Sequence, residues 1–181
     1  MPITLVRHTQ VAVSQGICYG QTDVPLAETF DAECAEIQRK LEGKCFTHCF
    51  SSPLSRCAQL AKRLFQGRIE WDERLKELNF GQWENRHWND FEQSAEAQRW
   101  FADYLHTPCP DGESYADLRM RTEAFLHDLQ QLPPQSNILI VTHGGPIRAM
   151  IAKIQNLDPK EIFDLKIEYG AVIELDKTTS T

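Results

Sequence analysis

Two short runs that read as buried strands, each closing on a histidine, constrain this chain more than any other feature: "ITLVRH" at residues 3 to 8 and "ILIVTHGG" at 138 to 145. The run "ILIV" is apolar at every position and offers no face to water. Such a strand belongs inside a largely parallel sheet covered on both sides.

The segments between these runs supply the cover. Residues 27 to 42 place Phe30, Cys34, Ile37 and Leu41 at helical spacing before Gly43. "CFTHCFS" at 45 to 51 reads as a strand, with Cys45 and Cys49 as its small apolar residues. It runs into a helix for which Ser52 is the expected cap and Pro53 the first residue, with Leu54, Cys57, Leu60, Ala61 and Leu64 on the buried face. A short strand at 68 to 71 follows. A helix over 114 to 132 then turns Leu118, Phe125, Leu129 and Leu132 inward, with Ser114 as its cap. Strand 137–142, a helix from about 146 to 155 and a strand near 167–175 complete the pattern. The alternation predicts an α/β fold, a mostly parallel sheet flanked by helices on both faces.

With 181 residues and 41% hydrophobic content the chain can build one sizeable core, so a single domain spanning 1–181 is expected. Lys and Arg total 19 against 26 Asp and Glu, and no basic run could track a nucleic-acid backbone. Nucleic acid is not an expected partner. No segment approaches the ~20 apolar residues that cross a bilayer, and no leader precedes "MPITLVRH", so a cytoplasmic protein without a membrane partner is expected. Its six cysteines read as reduced. "CFTHC" resembles half of a zinc site, but no second Cys/His pair follows, so no metal and no cofactor is expected. Oligomeric state is not legible.

In open α/β sheets ligands bind beyond the carboxyl ends of the strands, where helix N-termini also point. Arg7, His8 and His143 fall at such ends, and "SSPLSR" at 51 to 56 presents Arg56 in the first turn of a helix at the same edge. Groups from separate strand ends are thereby predicted to converge on one anion.

Through these residues the chain resembles the histidine phosphatase, or phosphoglycerate mutase-like, superfamily. "RHT" at 7 to 9 corresponds to its first motif, "SPLSR" at 52 to 56 to its second, "ELNFGQWE" at 77 to 84 to its acidic motif and "VTHGGPIR" at 141 to 148 to its second histidine motif. The resemblance implies that His8 takes up the phosphoryl group of a small-molecule phosphate ester. Arg7, Arg56 and His143 would clamp the phosphate. Glu77 would be protonated when the ester oxygen leaves and ionised when water attacks. Gly144, with Gly145 and Pro146, makes a tight strand-to-helix turn whose N–H groups can also face phosphate. The superfamily follows its first His with Gly and an acidic residue, where Thr9 and Gln10 stand here. It often places Asn where Ser14 is, whose hydroxyl can still donate a hydrogen bond to phosphate, and Ala27 replaces a customary capping Thr.

"CYGQTDVPL" at 18 to 26 and "FGQWENRHWNDF" at 80 to 91 look most like the α-ribazole phosphatases of that superfamily, which implies α-ribazole 5′-phosphate as substrate. Sugar-phosphate hydrolysis, phosphoglycerate mutase-like chemistry and a catalytically silent phosphate-binding module are the alternatives. Residues 83 to 111 carry Trp83, Trp88, Phe91, Trp100, Phe101 and Tyr104. They read as an insertion capping the strand ends, whose aromatics either pack it onto the domain or stack on a flat base.

Overall fold

The computed structural model describes residues 1–158 and 165–175. Strands β1 (Ile3–Arg7), β2 (His48–Ser51), β3 (Ile69–Trp71), β4 (Ile138–Thr142) and β5 (Val172–Leu175) form one sheet in the order β3-β2-β4-β1-β5. The first four run parallel to one another, and β5 pairs antiparallel with β1 at the edge.

Side chains alternate across this sheet and divide its apolar runs between two cores. Leu5, Ile138 and Ile140 pack with Leu118 and Phe125 of α4 (Tyr115–Asp128) and with Ile147 and Met150 of α5 (Gly144–Gln155). Val6, Leu139 and Val141 face the other way, onto Cys34 and Ile37 of α1 (Phe30–Lys40) and Cys57 and Leu60 of α2 (Ser55–Leu64). Each of these buried aliphatic side chains stabilises the fold by roughly 1.5–3 kcal/mol relative to exposure. The "ILIV" run is therefore apolar throughout because both of its faces are covered, as expected.

Register then sets the site. Arg7 lies opposite Thr142 and Ser51 opposite Val141, so β1, β4 and β2 end almost level. The next residues, His8, His143 and Ser52, emerge side by side at one edge.

Several boundaries differ from the sequence reading. Helix α2 begins at Ser55, with Leu54 rather than Ser52 as N-cap. The Ser52 hydroxyl is held by His143 Nε2 at 2.8 Å. The orphan N–H of Ser55 instead donates to Asp23 Oδ1 at 2.9 Å. Strand β2 starts only at His48, because Asn137 Nδ2 donates to the Cys45 carbonyl at 2.6 Å and the Asn137 carbonyl accepts from Thr47 N at 2.8 Å. Cys45 is thus exposed ahead of the strand, while Cys49 is buried within it. Helix α5 starts at Gly144, two residues early, and α4 stops at Asp128 before a 3₁₀ turn over Leu129–Gln131. Ser114 does cap α4, in a reciprocal capping box with Asp117.

Candidate active site

His8 is buried, with 2% of its surface exposed. Its Nδ1 lies 2.7 Å from the Thr9 carbonyl. A carbonyl only accepts, so Nδ1 carries the proton and Nε2 keeps a free lone pair. Burial first, then the charge of Arg56, with a smaller push from Arg7, brings its pKa down to about 3, against the opposing Thr9 hydrogen bond. The imidazole is neutral at neutral pH.

His143 is fully buried with its ring centroid 5.0 Å from that of His8. Arg56 Nε donates to its Nδ1 at 3.3 Å, which leaves the proton on Nε2 for Ser52 Oγ. Burial, Arg56 and His8 hold it well below the ordinary histidine range. Arg56 is itself fully buried, and its Nη1 and Nη2 donate to the carbonyls of Thr22 at 2.9 Å and Gly20 at 2.6 Å. One side chain therefore ties the loop after β1 to the second histidine.

Across the cavity, Glu77 receives the Gly145 N–H at 3.1 Å on Oε1 and 3.2 Å on Oε2, and the Leu78 N–H at 2.9 Å on Oε1. The Gly145 amide, which the sequence left for phosphate, is thus taken by a carboxylate at the N-terminus of α5. Arg121 fixes the backbone from which Glu77 projects. Its Nη1 donates to the carbonyls of Arg74 at 2.7 Å and Lys76 at 2.6 Å, its Nη2 donates to that of Glu77 at 2.9 Å, and Glu113 pairs with it. Glu84 is an anchor of another kind: burial pushes its pKa up, but hydrogen bonds from Thr22, Gln21 and Phe80 together bring it below the usual range. Those bonds lash the loop at 21–22 to the segment beyond Glu77.

Arg7 reaches the same edge from β1, donating through Nη1 to the Ile167 carbonyl. Gly144 is buried between Arg7 and Arg148, where an added Cβ would stand 3.2 Å from Arg148 Nη1 and 3.7 Å from Arg7 Cζ. Arg148 is a third guanidinium on the cavity wall. Its Nε donates to the Leu165 carbonyl at 3.0 Å, and among the described residues no carboxylate lies within ion-pair distance of it. Ser14 stands apart: it is exposed, its carbonyl accepts from Ile17 N at 3.2 Å, and it does not line the cavity.

The cavity, about 280 Å³, joins this polar floor to an aromatic wall of Phe80, Trp88, Trp100, Tyr104 and Tyr115. The aromatics of the 83–111 segment divide by position. Trp83 and Phe91 are buried and stacked, with centroids 5.1 Å apart and planes at 13°, and with Cys18, Ala97 of α3 (Ala95–Ala102) and Cys109 they form its core. Trp88 and Trp100 pack on that core and also line the cavity.

Sequence reasoning missed Arg121, Arg148, Asp23 and the anchoring role of Glu84. For Arg121 a signal existed: it lies three residues after Leu118 and four before Phe125, a charge on the core-facing stripe of a helix. Among the described residues no group of three or more His, Cys, Asp or Glu is placed to hold a metal, and no helix is long and apolar enough to cross a membrane.

A neutral imidazole with a free nitrogen, guanidiniums around it and a carboxylate opposite, all at the carboxyl edge of a parallel sheet, define a phosphoryl-handling α/β protein. The profile of the histidine phosphatase superfamily (branch 1) matches residues 3–181, and the chain belongs to that superfamily. It is 27% identical to the adenosylcobalamin/α-ribazole phosphatase of Salmonella typhimurium, over 97% of this chain and 90% of that protein. The crystal structure of the α-ribazole phosphatase from Shigella flexneri superposes with a TM-score of 0.89 at 26% identity, covering 97% of this chain and 90% of that one. The phosphoserine phosphatase of Entamoeba histolytica, solved with 3-phosphoglyceric acid, shares the fold: TM-score 0.84 and 22% identity, over 96% of this chain and 89% of that one.

Proposed function

We propose that the protein hydrolyses a phosphomonoester through a phosphohistidine at His8, with α-ribazole 5′-phosphate as its substrate. The observation that carries the chemistry is the state of His8: neutral, locked by Thr9 at Nδ1 and close to Arg56 and Arg7. Nε2 attacks phosphorus while Arg7 and Arg56 hold the equatorial oxygens, with His143 positioning Arg56 through Nδ1, and the P–O bond to the alcohol breaks. Glu77 gives its proton to the departing oxygen. It then takes one from the water that cleaves the P–N bond, which returns free His8 and inorganic phosphate.

The aromatic wall and the segments "CYGQTDVPL" and "FGQWENRHWNDF" support a leaving alcohol that carries a flat base, as do the relatives named above. A second reading rests on Arg148, a guanidinium on the cavity wall that has no carboxylate within ion-pair distance among the described residues and is suited to a carboxylate on the leaving group, as in a phosphorylated hydroxy acid. One experiment separates them. The purified protein is assayed, with and without EDTA, on α-ribazole 5′-phosphate, 3-phosphoglycerate, phosphoserine, sugar phosphates and nucleoside monophosphates. The expected result is the highest kcat/KM on α-ribazole 5′-phosphate, unaffected by EDTA. A tenfold preference for a carboxylate-bearing ester would select the second reading.

A further inference from the structure

The two arginines assigned to the phosphate come from distant parts of the chain, one from β1 and one from α2, yet each is faced by a tyrosine. Arg7 Cζ lies 4.1 Å from the centre of the Tyr169 ring, and Arg56 Cζ lies 5.4 Å from that of Tyr19. The two phenolic oxygens are 2.6 Å apart. A continuous chain of contacts, Arg7 to Tyr169 to Tyr19 to Arg56, thus runs around the place where a phosphoryl group on His8 would sit.

Each tyrosine is held independently of its partner. Tyr169 belongs to a segment sewn to the end of β1, where Gly170 N donates to the His8 carbonyl at 3.1 Å and Arg7 N to the Ala171 carbonyl at 3.0 Å. Its ring also lies 5.5 Å from that of His8. Tyr19 is half-buried in the loop after β1 and lines the cavity, between Cys18, whose N–H donates to the Arg86 carbonyl at 2.9 Å, and Gly20, whose carbonyl accepts from Arg56. The Tyr19–Tyr169 bond links those two segments across 150 positions of sequence.

We propose that Tyr19 and Tyr169 are positioning residues, whose mutual hydrogen bond fixes the distance between the Arg7 and Arg56 guanidiniums and so sets the affinity of the site for phosphate. This rests on the phosphatase reading above. A guanidinium held against an aromatic face loses its freedom to swing, while N–H groups not already bonded, one on each Nη of Arg56 beyond those given to Thr22 and Gly20, can meet an anion. Joining the two rings makes the spacing of the cations a property of the fold, so less ordering is required when phosphate binds.

Competitive inhibition by inorganic phosphate tests this on Tyr19→Phe, Tyr169→Phe and the double variant, with melting midpoints recorded alongside. Phenylalanine keeps both rings and removes only the bridge. Each single change is expected to weaken phosphate binding by about three- to tenfold, the range of one hydrogen bond. The double variant is expected to be no weaker than either single one, because both remove the same bond. Tyr169→Leu, which also takes the ring from beneath Arg7, should weaken binding further. Unchanged inhibition constants, effects that multiply in the double variant, or losses confined to variants that melt early would each overturn the proposal. If the wild type neither hydrolyses esters nor binds phosphate, the proposed function fails and this inference with it. Normal wild-type binding with unaltered variants removes this inference alone.

Discussion

Glu77 and Gly145 meet at a separation that only a glycine permits: a Cβ on Gly145 would stand 2.2 Å from Glu77 Oε1 and 3.0 Å from Leu118 Cδ1. The carboxylate is thereby seated on the first turn of α5, where the helix end presents N–H groups and positive potential. Its position depends on a glycine in a motif noted first for its histidine.

Glu77→Gln is expected to lose about 10²- to 10⁴-fold in kcat on an alkyl phosphate and far less on nitrophenyl phosphate, whose leaving group needs little acid assistance. Gly145→Ala should reproduce that leaving-group dependence by displacing the carboxylate. Equal losses on both esters in Glu77→Gln would show that the residue supports structure only.

His8 supplies a pH signature. Its folded pKa, about 3, lies below the ordinary 6.5, so between these values the unfolded chain binds a proton that the folded one refuses. Folding stability attributable to His8 is therefore full above pH 6.5 and declines as pH falls towards 3, by about 2 kcal/mol at pH 5. Urea denaturation of wild type and His8→Gln at pH 7 and pH 5 measures it: the variant should lose less stability on acidification. His8→Ala should also lose the acid-labile, base-stable phosphoprotein trapped by alkaline quench, and label persisting there would move the nucleophile elsewhere.

Arg121 touches no part of the cavity, yet it holds the carbonyls of Arg74, Lys76 and Glu77. Arg121→Lys keeps the charge and removes the fork that reaches all three. About a tenfold fall in kcat on the alkyl ester is expected, with KM little altered and nitrophenyl phosphate nearly spared. Placed in a Glu77→Gln background the same change should add little, since both act through one carboxyl group. Independent, multiplying losses would sink this account.

The tryptophans of the insertion should separate by location. Trp83 is 3% exposed, so Trp83→Ala is expected to destabilise the protein by about 3–5 kcal/mol, read as an early thermal transition. Trp88→Ala and Trp100→Ala, which open the cavity wall, should lower kcat/KM on α-ribazole 5′-phosphate while a small ester is still turned over. Identical effects on both esters would mean that the wall recognises no base.

Legibility followed sequence distance. His8 and His143 could be placed at one sheet edge because each ends its own strand, a local pattern. That the two strands end level is a matter of register, which only the pairing of Arg7 with Thr142 reveals. The N-cap of α2 shows where local rules stop. Ser52 stood where a cap belongs, but its hydroxyl is engaged by His143, and Asp23, 32 residues from Ser55, serves the helix instead. The contact from Arg121 to the Glu77 carbonyl spans 44 residues and has no local signature beyond a charge on an apolar stripe. The aromatic insertion gave two readings from sequence because its tryptophans have two environments in space.

Arg56 leaves a mark on how this protein can evolve. Its side chain donates to Gly20, Thr22 and His143 while wholly removed from water, so its loss leaves buried carbonyls and an imidazole without a donor. A lineage drifting from this sequence under relaxed selection for turnover would still be purged of most changes at Arg56, because misfolded chains are degraded whether or not their chemistry is wanted. In descendants, an intact arginine at this place testifies to a folded chain rather than to a working one.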